Sequence, residues 1–395
     1  MAAKLCRRRR GSGSPANPAL RHSIGLPYHC LMHVSELDTP ALLIDLDRLE
    51  NNLRRVANYC SQHGLRLRPH TKTHKNPAIG RMQLDLGAVG LTVAKVGEAE
   101  VMLSSGTPEL LIAYPILGAT KLGRLVEVAK KTNLTVALDS VEAAQGLSQA
   151  AGRAGVTVGV LVEADVGMRR CGLEPGPALV ALAQEVDRLP GLRLDGVEFY
   201  PGHFWANAPN GPEGLDNLRK AVAGIRDDFQ KAGLPLRIVS GGSSPTLYCS
   251  HTIEGVNEVR PGTYVFNDRT QVTAGVCTWD DCAATIMTTV VSTPRDKAAI
   301  VDGGSKTFTS DSLPGSDEGT FGRVVEAPEA RFYKMNEEHG YLDLESAGQS
   351  FKIGDRVRII PNHICVAVNM HEKVYGVRGE TVEEVWNVEG RGKLQ

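Results

Sequence analysis

The sequence predicts an α/β protein: a (β/α)8 barrel of the TIM type followed by a smaller C-terminal β domain. Three observations carry this. Between residues 77 and 265, short β-branched runs alternate with amphipathic helical runs, a pattern that implies parallel strands joined by right-handed crossovers. Counted from the strand that leads into Lys72, the strands number eight, which fits a closed barrel with its active-site groups at the C-terminal strand ends. From about residue 275 short strands with turn signals follow one another and no long helix pattern is left.

Taken in order, Thr39 to Asp45 is a short apolar strand, and Leu46 to Gly64 has helical spacing through Leu46, Leu49, Leu53, Val56 and Cys60. The Lys72 strand comes next. Helices are then expected at Pro77 to Leu86, Lys95 to Ser105, Ala119 to Lys131, Val141 to Ala154, Gly176 to Arg188 and Pro212 to Ala232. Between them lie strands at Ala88 to Val93, Leu110 to Ala113, Thr135 to Leu138, Val156 to Glu163, Leu194 to Phe199, Arg237 to Ser240 and Glu258 to Val265. In the C-terminal part, strands are expected at Ala283 to Val291, Ala298 to Val301, Gly322 to Val325, Val357 to Ile360 and Val366 to Asn369. The domains so read are 36–270 for the barrel, with its first strand free to join the β domain, and 271–395 for the β domain.

The 395 residues, 42% hydrophobic and 23% charged, match a globular protein with one large domain and a smaller companion. A net charge of −1 gives no global attraction to nucleic acid or membrane, so neither is expected as a partner. Eight scattered cysteines without a CxxC pair argue against a disulfide framework and for a reducing compartment, here the cytoplasm. Residues 1–35 stand apart, with the run Arg7 to Arg10 and no acidic residue before Glu36. They read as a basic tail or an organelle transit peptide, or as sequence upstream of a natural start at Met32. No apolar run is long enough for a secretory signal or membrane span.

The chemistry-bearing stretch is Arg68-Pro69-His70-Thr71-Lys72-Thr73-His74-Lys75. Read as an extended strand, it places His70, Lys72 and His74 on one face and Lys75 on the other. An amine among cationic or buried groups is kept partly deprotonated and able to form a Schiff base. A basic surface strand end or an anion patch is the alternative. Arg170, in the loop Asp165-Val166-Gly167-Met168-Arg169-Arg170-Cys171-Gly172, can offer fixed donors to a phenolate or carboxylate. Gly241, Gly242, Ser243 and Ser244 form a small-residue loop, and Gly262 and Thr263 follow on the next strand. These two loops suit a phosphate cradle, or are tight turns. Tyr200 and His203 close a strand where they can stack on a flat ring or exchange protons, or simply plug the core. His363 and Cys365, extended at i and i+2, share a side and make half of a tetrahedral metal shell, or else a core cysteine beside a satisfied histidine.

With these motifs in this order, the chain from Thr39 to Gln395 resembles the fold-type III pyridoxal-phosphate-dependent enzymes with an alanine-racemase-like barrel, in the D-threonine aldolase and D-serine dehydratase branch. The resemblance implies that Lys72 is the Schiff-base lysine and that Arg170 stands near the cofactor's phenolic oxygen. It further implies that Tyr200 lines the cofactor pocket and that Gly241, Gly242, Ser243, Ser244, Gly262 and Thr263 bind its phosphate. His363 and Cys365 fall where this branch holds a catalytic divalent metal, zinc first, with manganese or cobalt as alternatives. A homodimer is implied as well. The His-x-Cys pair matches the dehydratases, whereas Val368 to Glu372, Val377-Arg378 and Arg391-Gly392 resemble aldolase tails, and Phe204 and Trp205 stand where a dehydratase has a second tyrosine.

The expected activity is a metal-dependent lyase acting on D-β-hydroxy amino acids, of the D-threonine aldolase type, giving glycine and acetaldehyde. The alternative is D-serine dehydratase chemistry giving pyruvate and ammonia. A racemase is disfavoured by the His-x-Cys pair, and a non-catalytic pyridoxal phosphate carrier by the β domain.

Overall fold

A computed structural model describes residues 32–205, 211–313 and 319–395, so residues 1–31 of the expected N-terminal extension lie outside the described residues. The described residues begin in a sheet rather than in the barrel. β1 (Met32–His33) and β2 (Ala41–Asp45) lead into α1 (Leu46–Gln62), which starts where the Asp45 side chain accepts the Arg48 N–H. α1 buries Leu46, Leu49, Leu53, Val56 and Cys60, one stripe at helical spacing.

The alternation then runs as β3 (Arg66–Leu67), α2 (Pro77–Asp85), β4 (Leu91–Val93), α3 (Val96–Met102), β5 (Glu109–Ile112), α4 (Ala119–Ala129), β6 (Asn133–Leu138) and α5 (Val141–Ala154). It continues as β7 (Val158–Ala164), α6 (Pro177–Arg188), β8 (Leu192–Phe199), α7 (Gly211–Lys231), β9 (Ile238–Gly241) and β10 (Glu258–Val259). These eight strands form one parallel sheet in the order β3-β10-β9-β8-β7-β6-β5-β4. Its ends meet: His70 bridges Thr92, and Thr92 N–H and Val89 N–H donate to the Pro69 and Leu67 carbonyls at 2.8 and 2.9 Å. The sheet is therefore closed into the predicted barrel.

The main apolar core lies between the strands and the surrounding helices, while inside the barrel Leu111, Leu161 and Ile238 form a separate small cluster. Along β7 the inward positions are Gly159, Leu161 and Glu163, so the lumen is apolar only in its middle. Toward one mouth Arg68 donates to Glu109 and Glu258 at 2.6 and 3.0 Å. Toward the other, Ser240 Oγ donates to Glu258 at 2.8 Å and accepts from Arg260 at 2.5 Å. Buried charges persist when paired in this way.

After α8 (Arg269–Thr273) come β11 (Ala284–Ser292), β12 (Ala298–Val301), α9 (Ser305–Phe308), β13 (Gly322–Val324), β14 (Arg331–Met335), β15 (Gly340–Asp343), β16 (Arg356–Pro361), α10 (Ile364–Met370), β17 (Lys373–Arg378) and β18 (Thr381–Asn387). They build the second sheet, in which β2 pairs antiparallel with β11 and parallel with β17. No helix among the described residues is long and apolar enough to cross a membrane.

Three expectations are corrected. Val366 to Asn369 is helix, not strand: Ile364, Ala367 and Val368 are buried at i, i+3 and i+4, a helical stripe inside a β-rich sequence. The strand expected through Val265 ends at Val259 and gives way to a 3-10 turn over Thr263–Val265. The Lys72 stretch leaves the sheet at His70, and residues 71–74 form a turn closed by Lys75 N–H donating to the Thr71 carbonyl at 2.7 Å.

Where β8 passes β9, Gly196 adopts φ +140°, and an added Cβ would stand 2.0 Å from the Ile238 carbonyl oxygen. Gly196→Ala is expected to cost about 2 kcal/mol or more, read as a lower urea midpoint with unchanged slope.

Candidate active site

The turn over residues 71–74 replaces strand alternation with a different sorting of side chains. Lys72 stays partly exposed at the mouth of the barrel, with its Nζ 5.8 Å from the centre of the Tyr200 ring. His74 is buried and accepts the Asn76 N–H at 3.1 Å, so it does not share Lys72's surface. Lys75, expected on the outer face, is buried too, and its Nζ pairs with Glu98 at 3.0 Å. The backbone of Lys75 is left-handed at φ +50°, a strained conformation for a residue with a side chain. The C-terminal segment holds it there. Gly390 N–H donates to the Lys75 carbonyl at 2.9 Å, and Asn76 Nδ2 donates to the Asn387 carbonyl at 3.1 Å.

Around Lys72 stand His70, Tyr200 and Arg170. His70 Nδ1 accepts the Lys72 N–H at 3.4 Å. Burial, and then the charge of Lys72, hold the His70 imidazole well below its ordinary value, so it is neutral. The Arg170 guanidinium lies 4.7 Å from the centre of the Tyr200 ring, a cation–π distance. Its neighbour Arg169 is left-handed at φ +57°, and Asp165 caps the loop by accepting the N–H groups of Gly167 and Arg169. His203 is exposed beside this loop, where a Cβ on Gly167 would meet its Nε2 at 3.2 Å.

The small-residue loops adjoin these groups, with glycines that answer to different constraints. A Cβ on Gly241 would fall 2.1 Å from the Phe199 ring, which makes this glycine a packing requirement. Gly242 is left-handed at φ +88°. Ser243 opens the segment Ser244–Thr252 with a reciprocal cap to Thr246. Gly262 lets its loop lie against the lysine turn, since a Cβ there would meet the His70 carbonyl oxygen at 2.9 Å.

The β domain reaches the same place. His363 is the N-cap of α10 and Cys365 lies in its first turn, so a helix start, not an extended strand, brings the pair together. Thr73 Oγ1 is 3.1 Å from Cys365 Sγ, and Thr263 Oγ1 is 3.8 Å from it. Burial raises the Cys365 thiol, but His363, Lys72 and Thr73 together outweigh burial and hold it below the ordinary thiol range. The neighbouring Cys365 is in turn the main reason His363 is pushed up to about 11. His363 Nδ1 is 3.0 Å from Asp268, a carboxylate that also accepts the Ile364 and Gln271 N–H groups. A carboxylate on one ring nitrogen directs the other toward a ligand, the usual support of a metal-bound histidine. Among the described residues, no cluster of three or more His, Cys, Asp or Glu side chains is arranged around a metal position.

Sequence reasoning missed Asp268, Glu163 and Glu198. A signal existed for Glu163, a carboxylate at the end of an otherwise apolar strand, whereas the strand of Glu198 also carries Arg193 and Asp195. Asp268 carried only the mark of a helix cap.

The chain matches two family models: the alanine racemase N-terminal domain over residues 44–270, and a serine dehydratase domain over residues 283–377. It is 30% identical to the D-threonine aldolase of Arthrobacter sp over 366 residues, which is 91% of this chain and 94% of the relative. It is similar to the solved D-threonine aldolase of Filomicrobium marinum, with a TM-score of 0.85 and 32% identity, covering 94% of this chain and 100% of the other. The D-threo-3-hydroxyaspartate dehydratase of Delftia sp. (strain HT23) is 33% identical over 83% of this chain and 91% of its own length. A cysteine-to-alanine variant of a D-threo-3-hydroxyaspartate dehydratase, solved in a metal-free form, has a TM-score of 0.82 and 30% identity, covering 90% of this chain and 98% of the other.

Lys75→Met would strand the buried Glu98 carboxylate. A loss of about 3–5 kcal/mol is expected in urea unfolding.

Proposed function

The chain belongs to the family of pyridoxal-phosphate-dependent D-amino acid lyases built on an alanine racemase N-terminal domain, and we propose that within it this protein is a metal-dependent aldolase of the D-threonine type. Its substrates are D-β-hydroxy amino acids, and D-threonine yields glycine and acetaldehyde. The observation that most supports this reading is the 3.1 Å contact between Thr73 and Cys365, which makes neighbours of the reactive-lysine turn and the imidazole–thiolate pair.

The residues present fit the groups such chemistry needs. An amine, an aromatic ring, a guanidinium and two small-residue loops surround one mouth of the barrel, and a thiolate with a carboxylate-supported histidine adjoins them. When bound, pyridoxal 5′-phosphate supplies an electron sink for bonds at the substrate's α-carbon, and a divalent metal, zinc first with manganese or cobalt as alternatives, supplies a Lewis acid for the β-oxygen. Lys72 would supply the amine that holds the cofactor. Arg170 would hold its phenolic oxygen and Tyr200 would line the pocket of its ring. Gly241, Gly242, Ser243, Ser244, Gly262 and Thr263 would hold the phosphate, and His363 and Cys365 would hold the metal. His70, kept neutral by burial, accepts a hydrogen bond and adds no positive charge beside Lys72. His203 takes the β-hydroxyl proton from the exposed rim. A homodimer is part of the same reading.

Dehydratase chemistry is the second reading, and the thiolate ligand favours it. The D-threo-3-hydroxyaspartate dehydratase whose metal-free form carries a cysteine replacement is the relevant comparison. In that case Lys72 removes the α-proton, and D-serine yields pyruvate and ammonia.

Cofactor-loaded protein given D-threonine and D-serine separately is expected to release glycine with acetaldehyde from the former. A keto acid with ammonia as the main product establishes the second reading, and full activity after EDTA removes the metal from either. Lys72→Ala is expected to lose the visible band at roughly 415 nm together with all turnover, and a variant that stays yellow displaces Lys72 from its role.

A further inference from the structure

Two carboxyl groups lie beneath this site without a part in the reaction described. Glu163 on β7 and Glu198 on β8 are direct partners in the parallel ladder, so their side chains enter the lumen side by side from strands about 4.8 Å apart. Both are almost fully buried, at 4% and 2% exposure. Two guanidiniums stand over them. Arg170 Nη2 is 3.8 Å from Glu163 Oε1, and Arg260 Nη2 is 3.7 Å from Glu198 Oε2. These are ion-pair distances too long for hydrogen bonds, and Glu198 Oε2 is buried without a hydrogen-bond partner among the described residues. Arg260 instead gives its hydrogen bonds to Ser240 Oγ and the Phe199 carbonyl.

An orphaned carboxylate oxygen beside a second carboxylate is unfavourable twice over, through desolvation and through repulsion. One proton between them relieves both, because the protonated carboxyl becomes a donor to its neighbour. We propose that Glu163 and Glu198 share a single proton and act as positioning residues, placing one negative charge under the two guanidiniums of Arg170 and Arg260. The remaining positive charge then faces the mouth of the barrel, where it favours an anionic oxygen such as a phenolate or a carboxylate. This rests on Arg170 belonging to the cofactor pocket.

The surrounding charges agree. Burial, and then the charge of Glu198, push Glu163 up to about 7 against Arg170 and Arg260, while Asp139 adds a further upward push. Burial raises Glu198 as well, with Glu258 adding to it and Arg260, Arg170 and Arg68 opposing. Cys171, a further titratable neighbour of Glu163, is itself raised, first by burial, and stays a neutral thiol. The sign follows. A carboxyl whose folded value lies above its ordinary 4.5 binds its proton more tightly in the folded chain, so its contribution is complete below pH 4.5 and is lost as pH rises through about 7. Above that pH the proton leaves to solvent, the second negative charge compensates Arg170, and anion binding at the mouth weakens.

Two measurements separate this inference from the functional reading. Cofactor-free wild-type, Glu163→Gln and Glu198→Gln proteins are melted between about pH 5 and about pH 8. The wild type is expected to lose stability as pH rises through about 7, and Glu163→Gln, with no charge to bury, to lose less and to melt higher than wild type at the upper end. Pyridoxal phosphate is then titrated into the same proteins, followed by its visible band. The wild type is expected to bind about three- to tenfold more weakly above the step, and Glu163→Gln to show a flat profile. Identical pH profiles in wild type and both glutamine variants overturn the proton-sharing pair. A melting step without any cofactor step overturns its role in placing Arg170. A wild type that takes up no cofactor, or a Lys72→Ala variant as yellow as wild type, fails the functional reading while the melting series still decides the pair. Should a glutamine variant not fold, the infrared band of a protonated carboxyl in wild type decides instead: its loss between about pH 6 and about pH 8 supports the pair, and its absence throughout overturns it.

Discussion

The closure of the barrel between Pro69 and Thr92 is the constraint on which the site depends. Once His70 bridges Thr92, the outgoing chain has no ladder left to follow, and residues 71–74 turn back on themselves. That turn exposes Lys72 toward Tyr200, points Thr73 at Cys365 and buries His74 and Lys75. A strand continued by even two residues would present a different set of side chains. The left-handed Lys75 and the tail contacts from Asn387 and Gly390 are the cost and the restraint of stopping there.

The interior of the barrel is charged rather than uniformly apolar. From Glu109 through Arg68, Glu258, Ser240 and Arg260 to Glu198, polar side chains form a continuous series beside the apolar group of Leu111, Leu161 and Ile238. An apolar filling of the same volume would serve stability at least as well. What the charged filling adds is fixed electrostatics, because Arg68 is held by Glu109 and Glu258, and Arg260 by Ser240 and the Phe199 carbonyl, in a close-packed lumen.

The β domain completes the site from a distance in sequence of nearly the whole barrel. β2 joins that domain's sheet before the barrel begins, so strands from before and after the barrel share one layer. Asp268, at the junction, fixes His363 and caps α8 at once, coupling the orientation of the imidazole to the end of the barrel.

The eight alternating strands and the change to a β domain were legible in the sequence, because they are written in periodicity and in runs of local residue types. It also carried the order of motifs that marks the family. Tertiary structure decided how the lysine motif is presented: alternation expected His70, Lys72 and His74 on one face, whereas a single long-range bridge at His70 cuts the strand short. Only the fold could set Lys75 against Glu98, start a helix at His363 and place Asp268 behind it. Residues such as Glu163 and Glu198 lie 35 positions apart, and their meaning comes from ladder register and burial, which no local pattern encodes.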